Sequence, residues 1–305
     1  MFDLPWVAGD KASALADPTS VYQTLSCAGG VIIDDLSRAI DEGVRTPLML
    51  QTVLGLDAQQ IGAAFLVAPT TMGQRLVRAK VKIRDSGLRF QLPDAGDLPE
   101  RLHDVLNAIY AAYGTSWDAI SGAEAGARDL ADEAIFLCRL LVGMLPAEPE
   151  PKGLLALMLH CESRRAARRG ELGEFVPLNE QDVQLWSRDM IIEAEGHLVA
   201  ASRAGRFGRF QCEAAIQSVH AQRAVTGRTH HPALLTLYGL LATHHPSVGV
   251  LVSQAAALTD AGEAQQALQV LARLADEAVR LYQPYWVTLA TTLGAASDPA
   301  SARNA

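Results

Sequence analysis

Residues 54–84 read LGLDAQQIGAAFLVAPTTMGQRLVRAKVKIR. Asp57 stands where its carboxylate can cap a short helix over 58–65, and a tight turn follows at 66–68. Pro69 then opens a second helix, since its fixed φ suits the first helical position and its missing N–H costs nothing there. In that helix Met72, Leu76, Ala79 and Ile83 recur at three-to-four spacing and define an apolar face. Thr70, Thr71, Gln74, Arg75, Arg78, Lys80 and Lys82 fall around the polar side, followed by Arg84. The pattern predicts a helix, a short turn and a second, amphipathic helix with a basic outer surface.

The same grammar runs outward in both directions. Leu36, Ile40 and Val44 predict a helix, Arg45-Thr46-Pro47 reads as a turn, and a second apolar run over 48–54 stops at Gly55. Downstream, helices are expected over 98–113, 124–145, 151–166, 180–203, 209–225, 232–243, 247–259, 263–274 and 277–293, punctuated by prolines and glycines. Alternating, β-branched stretches are scarce, so the expected fold is all-α. Residues 1–20 lack a sustained period and read as a loose arm. The linker-like QLPDAGDLP at 91–99 suggests a boundary between a domain over 21–92 and an all-helical extension over 93–305. Within the extension, 232–293 reads as short helix pairs, and Asp260-Ala261-Gly262-Glu263-Ala264 is like the turn of a tetratricopeptide (TPR) unit. A TPR-like stack and an irregular helical bundle both fit that pattern.

With 305 residues, 49% apolar and 20% charged, the chain has the composition of a globular protein rather than a disordered or collagenous one. Its longest apolar stretch, 153–159, is far shorter than the ~18 residues a membrane-spanning helix needs. Asp3, Asp10 and Asp17 are unlike a secretory signal, so no membrane partner and a cytoplasmic location are expected. Cys27, Cys138, Cys161 and Cys212 are widely spaced, which favours free thiols over a disulfide framework. His160-Cys161-Glu162, His230-His231 and His244-His245 lack the spacing of a metal site, and no nucleotide-binding glycine loop or catalytic triad signature occurs. No metal, no cofactor and no enzymatic activity are therefore expected.

Two charged segments remain. Six bases between Arg75 and Arg89 face only Asp85, a local balance of +5 in a chain of net charge −8. A basic face on an amphipathic helix is often merely solvated. Here the turn spacing and the charge asymmetry together favour a helix entering a DNA major groove, with small hydrogen-bonding groups at its N-terminus and Arg and Lys behind them neutralising phosphates. Gln74, Arg75 and Arg78 are the candidates for base or phosphate contacts; Lys80, Lys82 and Arg84 would act mainly on phosphates. The second segment, 164–177, concentrates arginines in an expected surface loop with a short hairpin near 174–178. Either these arginines hold an acidic partner, or Arg164 and Arg165 pack beside Trp186 and pin the loop to Asp182 and Glu193. The pinned arrangement is the preferred expectation.

The string FLVAPTTMGQRLVRAKVKIRDSGLRF (65–90), preceded by VLGLDAQQIG (53–62), resembles the fourth conserved region of bacterial extracytoplasmic-function sigma factors, the part that reads the −35 promoter element. It looks closest to the subgroup with a long helical C-terminal extension. LPERLHDVLNAIY (98–110), residues 130–160, LNEQD with Trp186, and QCEAAIQSVHA (211–221) are similar to that extension. The resemblance implies a helix-turn-helix that binds double-stranded promoter DNA, RNA polymerase core as a partner, and a regulatory protein acting on the extension. Sigma factors of this kind carry a further N-terminal domain that grips the polymerase and melts the −10 element, and only about 20 residues stand in its place here. Polymerase binding is accordingly expected to be weak or partial. Gly62 and Gly73 also depart from helix-favouring residues, each at a cost of about 1 kcal/mol relative to Ala. The alternative is a helical scaffold or sensor for a protein or small ligand, its helix-turn-helix vestigial.

Overall fold

The structure, a computed structural model, describes residues 41–86 except 54 and 66, residues 98–117, and residues 124–297 except 281. The loose arm at 1–20, the expected helix around Leu36 and Ile40, Cys27, Arg89 and most of the 91–99 linker lie outside the described residues. Within them the chain is helical, as the periodicity predicts; its nearest approach to a strand is the isolated bridge between Arg169 and Phe175. The chain divides into two compact units, 1–145 and 146–305.

The first unit contains α1 (Glu42–Val53), α2 (Ala58–Ala64), α3 (Pro69–Ser86), α4 (Leu98–Trp117) and α5 (Glu124–Met144). The turn expected at Arg45-Thr46-Pro47 is instead the interior of α1. Leu48, Met49 and Leu50 are buried immediately after Pro47. Burial of that apolar run outweighs the lost backbone hydrogen bond. α1 packs on α2, α3 and α4, and Arg45 Nη1 lies 3.9 Å from Asp104 Oδ2 on α4. α4 in turn packs on α5. Leu98–Trp117 thus belongs with the helices before it, and the units meet at 145/146 rather than at the 92/93 boundary the linker composition suggests.

The second unit is built around α6 (Pro149–Glu162), whose residues from Gly153 to His160 are all buried. A helix apolar on every side has to be enclosed. α7 (Arg188–Ser202) and α8 (Arg209–Ala221) supply the enclosure. The expected helix over 180–203 begins only at Arg188, because two local caps act first: Asp182 accepts from Gln184 N at 2.9 Å within a 3₁₀ turn, and Ser187 caps α7. After α9 (Arg223–Thr226), α8 packs on α10 (His231–His244), α10 on α11 (Val248–Asp260), and α11 on α12 (Ala264–Leu271). Past α13 (Asp276–Val279), α14 (Gln283–Ser297) packs on both α11 and α12. The turn between α11 and α12 falls at the Asp260–Ala264 segment singled out in the sequence.

The approach of α8 to α6 rests on glycine. A Cβ at Gly153 would lie 2.6 Å from Gln211 N and 2.9 Å from the Phe210 carbonyl carbon, both backbone atoms at the start of α8. At that same start Glu150 accepts from Phe210 N (3.0 Å) and Gln211 N (3.1 Å), so a carboxylate on α6 caps α8, whose own N-cap, Gly208, has no side chain to offer. Replacing Gly153 by Ala is expected to push the helices apart and destabilise the unit by about 1–3 kcal/mol, the usual cost of overpacking a core. A melting temperature equal to the parent's, measured by circular dichroism, would contradict this close approach.

His160 lies in the last turn of α6 with only 1% of its surface exposed and neither ring nitrogen hydrogen-bonded among the described residues. Glu195 Oε1 stands 3.5 Å from Nε2, outside hydrogen-bonding geometry, and already accepts from Ser218 Oγ at 2.5 Å. Burial, aided by the Arg164 charge, pushes His160 down to about 4. His220 is pushed down to about 4 by burial and then by Arg164, Arg223 and His231. In the unfolded chain both titrate near their ordinary value of about 6.5, so the unfolded state binds more protons between about pH 6.5 and 4. Stability is therefore expected to fall as the pH drops through that window. His160→Met should remove about half of this histidine contribution, flattening the melting temperature between pH 7 and pH 5 without lowering it at pH 7.

Candidate functional site

α2, the turn and α3 are held by reciprocal local contacts. Asp57 Oδ1 accepts from Gln59 N (2.9 Å) and Gln60 N (2.8 Å), while Gln60 Oε1 accepts from Asp57 N (2.9 Å), closing a capping box at the start of α2. The chain then folds back so that Val67 N donates to Gly62 O at 2.8 Å. A Cβ at Gly62 would stand 2.6 Å from Val67 O, so the residue that weakens the helix is the one that admits the turn. Pro69 begins α3, with Met72 N donating to Ala68 O at 2.9 Å. Met72, Leu76 and Ala79 are buried and Ile83 is half-buried, the face expected from their spacing, and this face packs on α1 and α2.

Thr70, Thr71, Gln74, Arg75, Arg78, Lys80, Lys82 and Arg84 are all exposed. Arg84 Nε meets Asp85 Oδ1 at 3.0 Å, whereas Arg75, Arg78, Lys80 and Lys82 make no ion pair among the described residues. Val77 (61% exposed) and Val81 (39%) add two apolar side chains, one turn apart, that a simple division into apolar and polar faces overlooks. Such a surface can neutralise anions along the helix and offer hydroxyl and amide groups at its first turn.

In the second unit the arginine segment is partly buried. Arg164 is 7% exposed; its Nη2 donates to Gln217 Oε1 at 2.6 Å and to Cys161 Sγ at 3.8 Å, and its guanidinium carbon is 6.0 Å from the centre of the Trp186 ring. Arg165, half-buried, pairs with Glu162 through both Nε and Nη2. Arg164 and Trp186 thus come together, whereas Asp182 spends its carboxylate on Gln184 N and Glu193 lies beside His197. The cation that faces Trp186 from α9 is Arg223, 5.1 Å from the ring centre, with Nη2 donating to Gln181 O at 2.8 Å. Gln217 and Arg223 carry no local signal in the sequence, standing 53 and 59 residues from Arg164. The small hairpin lies at 168–176, where Val176 N donates to Arg168 O and Gly170 N to Glu174 O, slightly before the expected 174–178.

The remaining candidates have structural partners. His230 Nδ1 accepts from Ala233 N and caps α10, and the rings of His244 and His245 pack against Phe207. Among the described residues no three His, Cys, Asp or Glu side chains gather where they could hold a metal ion. Cys138, Cys161 and Cys212 are free thiols whose pKa burial pushes up, for Cys212 to about 11. No helix among the described residues is long and apolar enough to cross a membrane.

A family model described as "Family of unknown function (DUF6596)" matches residues 101–202, a span that joins α4 to α7. The chain is similar to "Uncharacterized protein R00370" of Rhizobium meliloti (strain 1021), with 40% identity over 229 residues, covering 75% of this chain and 54% of that protein. It spans about half the length of this curated relative. No solved structure matches the chain.

Proposed function

We propose that the chain is a cytoplasmic DNA-binding transcription regulator of sigma-factor type, in which α2, the turn and α3 form a helix-turn-helix that reads a −35-type promoter element. The observation that supports this reading most is the disposition of α3: its apolar stripe is consumed by packing, and its eight polar and basic candidates are all displayed to solvent. Thr70 and Thr71 stand at the N-terminal end, Gln74, Arg75 and Arg78 follow as base or phosphate partners, and Lys80, Lys82 and Arg84 act mainly on phosphates. In this reading the second unit forms a regulatory extension, TPR-like over 232–293, through which a regulatory protein acts, and RNA polymerase core is a weak or partial partner. The chain acts by binding and carries out no catalysis.

Binding of a mixed-sequence DNA duplex at low salt, followed by fluorescence anisotropy, tests the proposal. The parent should bind, with an affinity that falls steeply as salt rises. Arg75→Ala combined with Arg78→Ala should weaken binding by roughly 10- to 100-fold and lower the salt slope by about 2, with little change in melting temperature because both side chains are exposed. Equal affinity in the double variant at matched salt would refute the role of α3. A parent that binds no duplex would favour the other class of function, a helical scaffold with a vestigial helix-turn-helix.

A further inference from the structure

Trp186 is 6% exposed and has a guanidinium on each of two neighbouring segments, Arg164 after α6 and Arg223 on α9. Both cations have neutral hydrogen-bond partners: Gln217 Oε1 and Cys161 Sγ for Arg164, the Gln181 carbonyl for Arg223. Neither meets a carboxylate among the described residues. The nearby acids are engaged elsewhere, Glu162 with Arg165, Glu213 with Arg209 at 2.7 Å, and Glu195 with Ser218. Stacking on an indole stabilises a guanidinium without neutralising it. Burial first and the Arg164 charge second lower the Arg223 pKa, and both arginines help to hold His220 neutral, so each arginine feels the charge of the other. Two donors, Arg164 Nη1 and Trp186 Nε1, are buried with no acceptor among the described residues. Donors without acceptors and cations without anions at one place are costly unless something supplies both.

We propose that Arg164, Arg223 and Trp186 form a binding site for a small oxyanion, the carboxylate or phosphate group of a low-molecular-weight ligand. A planar guanidinium presents paired N–H groups to such an oxygen pair, and the indole N–H supplies a further donor. The ligand is small because Arg164 is too deeply buried to meet a side chain on the surface of a folded partner. The site belongs wholly to the second unit and is independent of DNA binding by α3.

The test uses the full chain, melted in increasing inorganic phosphate or succinate with ionic strength held constant by sodium chloride. At least one of the two should raise the melting temperature saturably; phosphate alone identifies a phosphate group as the ligand's anchor, succinate alone a carboxylate. Titration calorimetry under the same conditions should give binding at least roughly tenfold weaker for Arg223→Gln. In plain buffer that variant should melt no lower than the parent, because a like-charge repulsion has been relieved. Trp186→Phe, which keeps a ring and removes the N–H, should bind more weakly than the parent. A parent that responds to neither anion overturns the proposal, as does an undiminished response in Arg223→Gln. If Arg223→Gln melts lower in plain buffer and the anions leave the parent unmoved, the arginines serve packing alone.

Discussion

The second unit depends on one enclosure, that of α6 by α7 and α8. From Gly153 to His160 this helix presents no polar face to water, so its burial is compulsory and the positions of its neighbours follow. Glu150 sets the entry of α8 by placing a carboxylate on the first free N–H groups of that helix, and Gly153 allows the two backbones close enough for it to reach. Desolvation then extends past the end of α6. Arg164, the second residue beyond Glu162, lies inside the enclosure because the helix leading to it does, and the same burial keeps His160 and His220 neutral.

Helix positions were legible wherever a local signal acted. The apolar stripe of α3, the Asp57 cap, Pro69 at a helix start and the turn at 260–264 all depend on residues within a few places of one another, and each appears in the structure near the place the sequence suggests. Pro47 shows where that logic fails. Its local preference is to interrupt a helix, but Leu48, Met49 and Leu50 gain more by burial within one continuous α1 than the chain loses in one hydrogen bond. Likewise the composition of 91–99 reads as a linker between domains, whereas α4 packs back on α1, and no composition window reports on packing.

The two basic features show the same limit from the side of function. The outer face of α3 was readable because exposure on a helix follows from period, and all of its candidates lie within sixteen residues, 69–84. Trp186 and Arg164 were readable as neighbours because both lie in one short irregular stretch. Arg223 and Gln217 were not, since contacts spanning 37 residues (Trp186 to Arg223) and 53 residues (Arg164 to Gln217) are decided by how the helices pack rather than by any spacing. Glu150 on the N-terminus of α8 is a third case, reaching Phe210 and Gln211 across about sixty residues.

These positive groups also differ in what it costs to keep them charged. On α3 the guanidiniums and ammoniums remain in water, so displaying them costs almost nothing in the folded state, and their attraction for an anion is strongly screened by salt. Such charges suit a large polyanion, where many weak contacts add and released counterions supply the driving force. Arg164 has been taken out of water and given an amide oxygen, a thiol and an aromatic face, none of which carries a compensating charge. The cost of that desolvation is already met in the folded chain, so an anion arriving there finds a preorganised cation whose attraction salt screens only weakly. The two units therefore hold positive charge in opposite states, left in water on α3 and desolvated at Arg164.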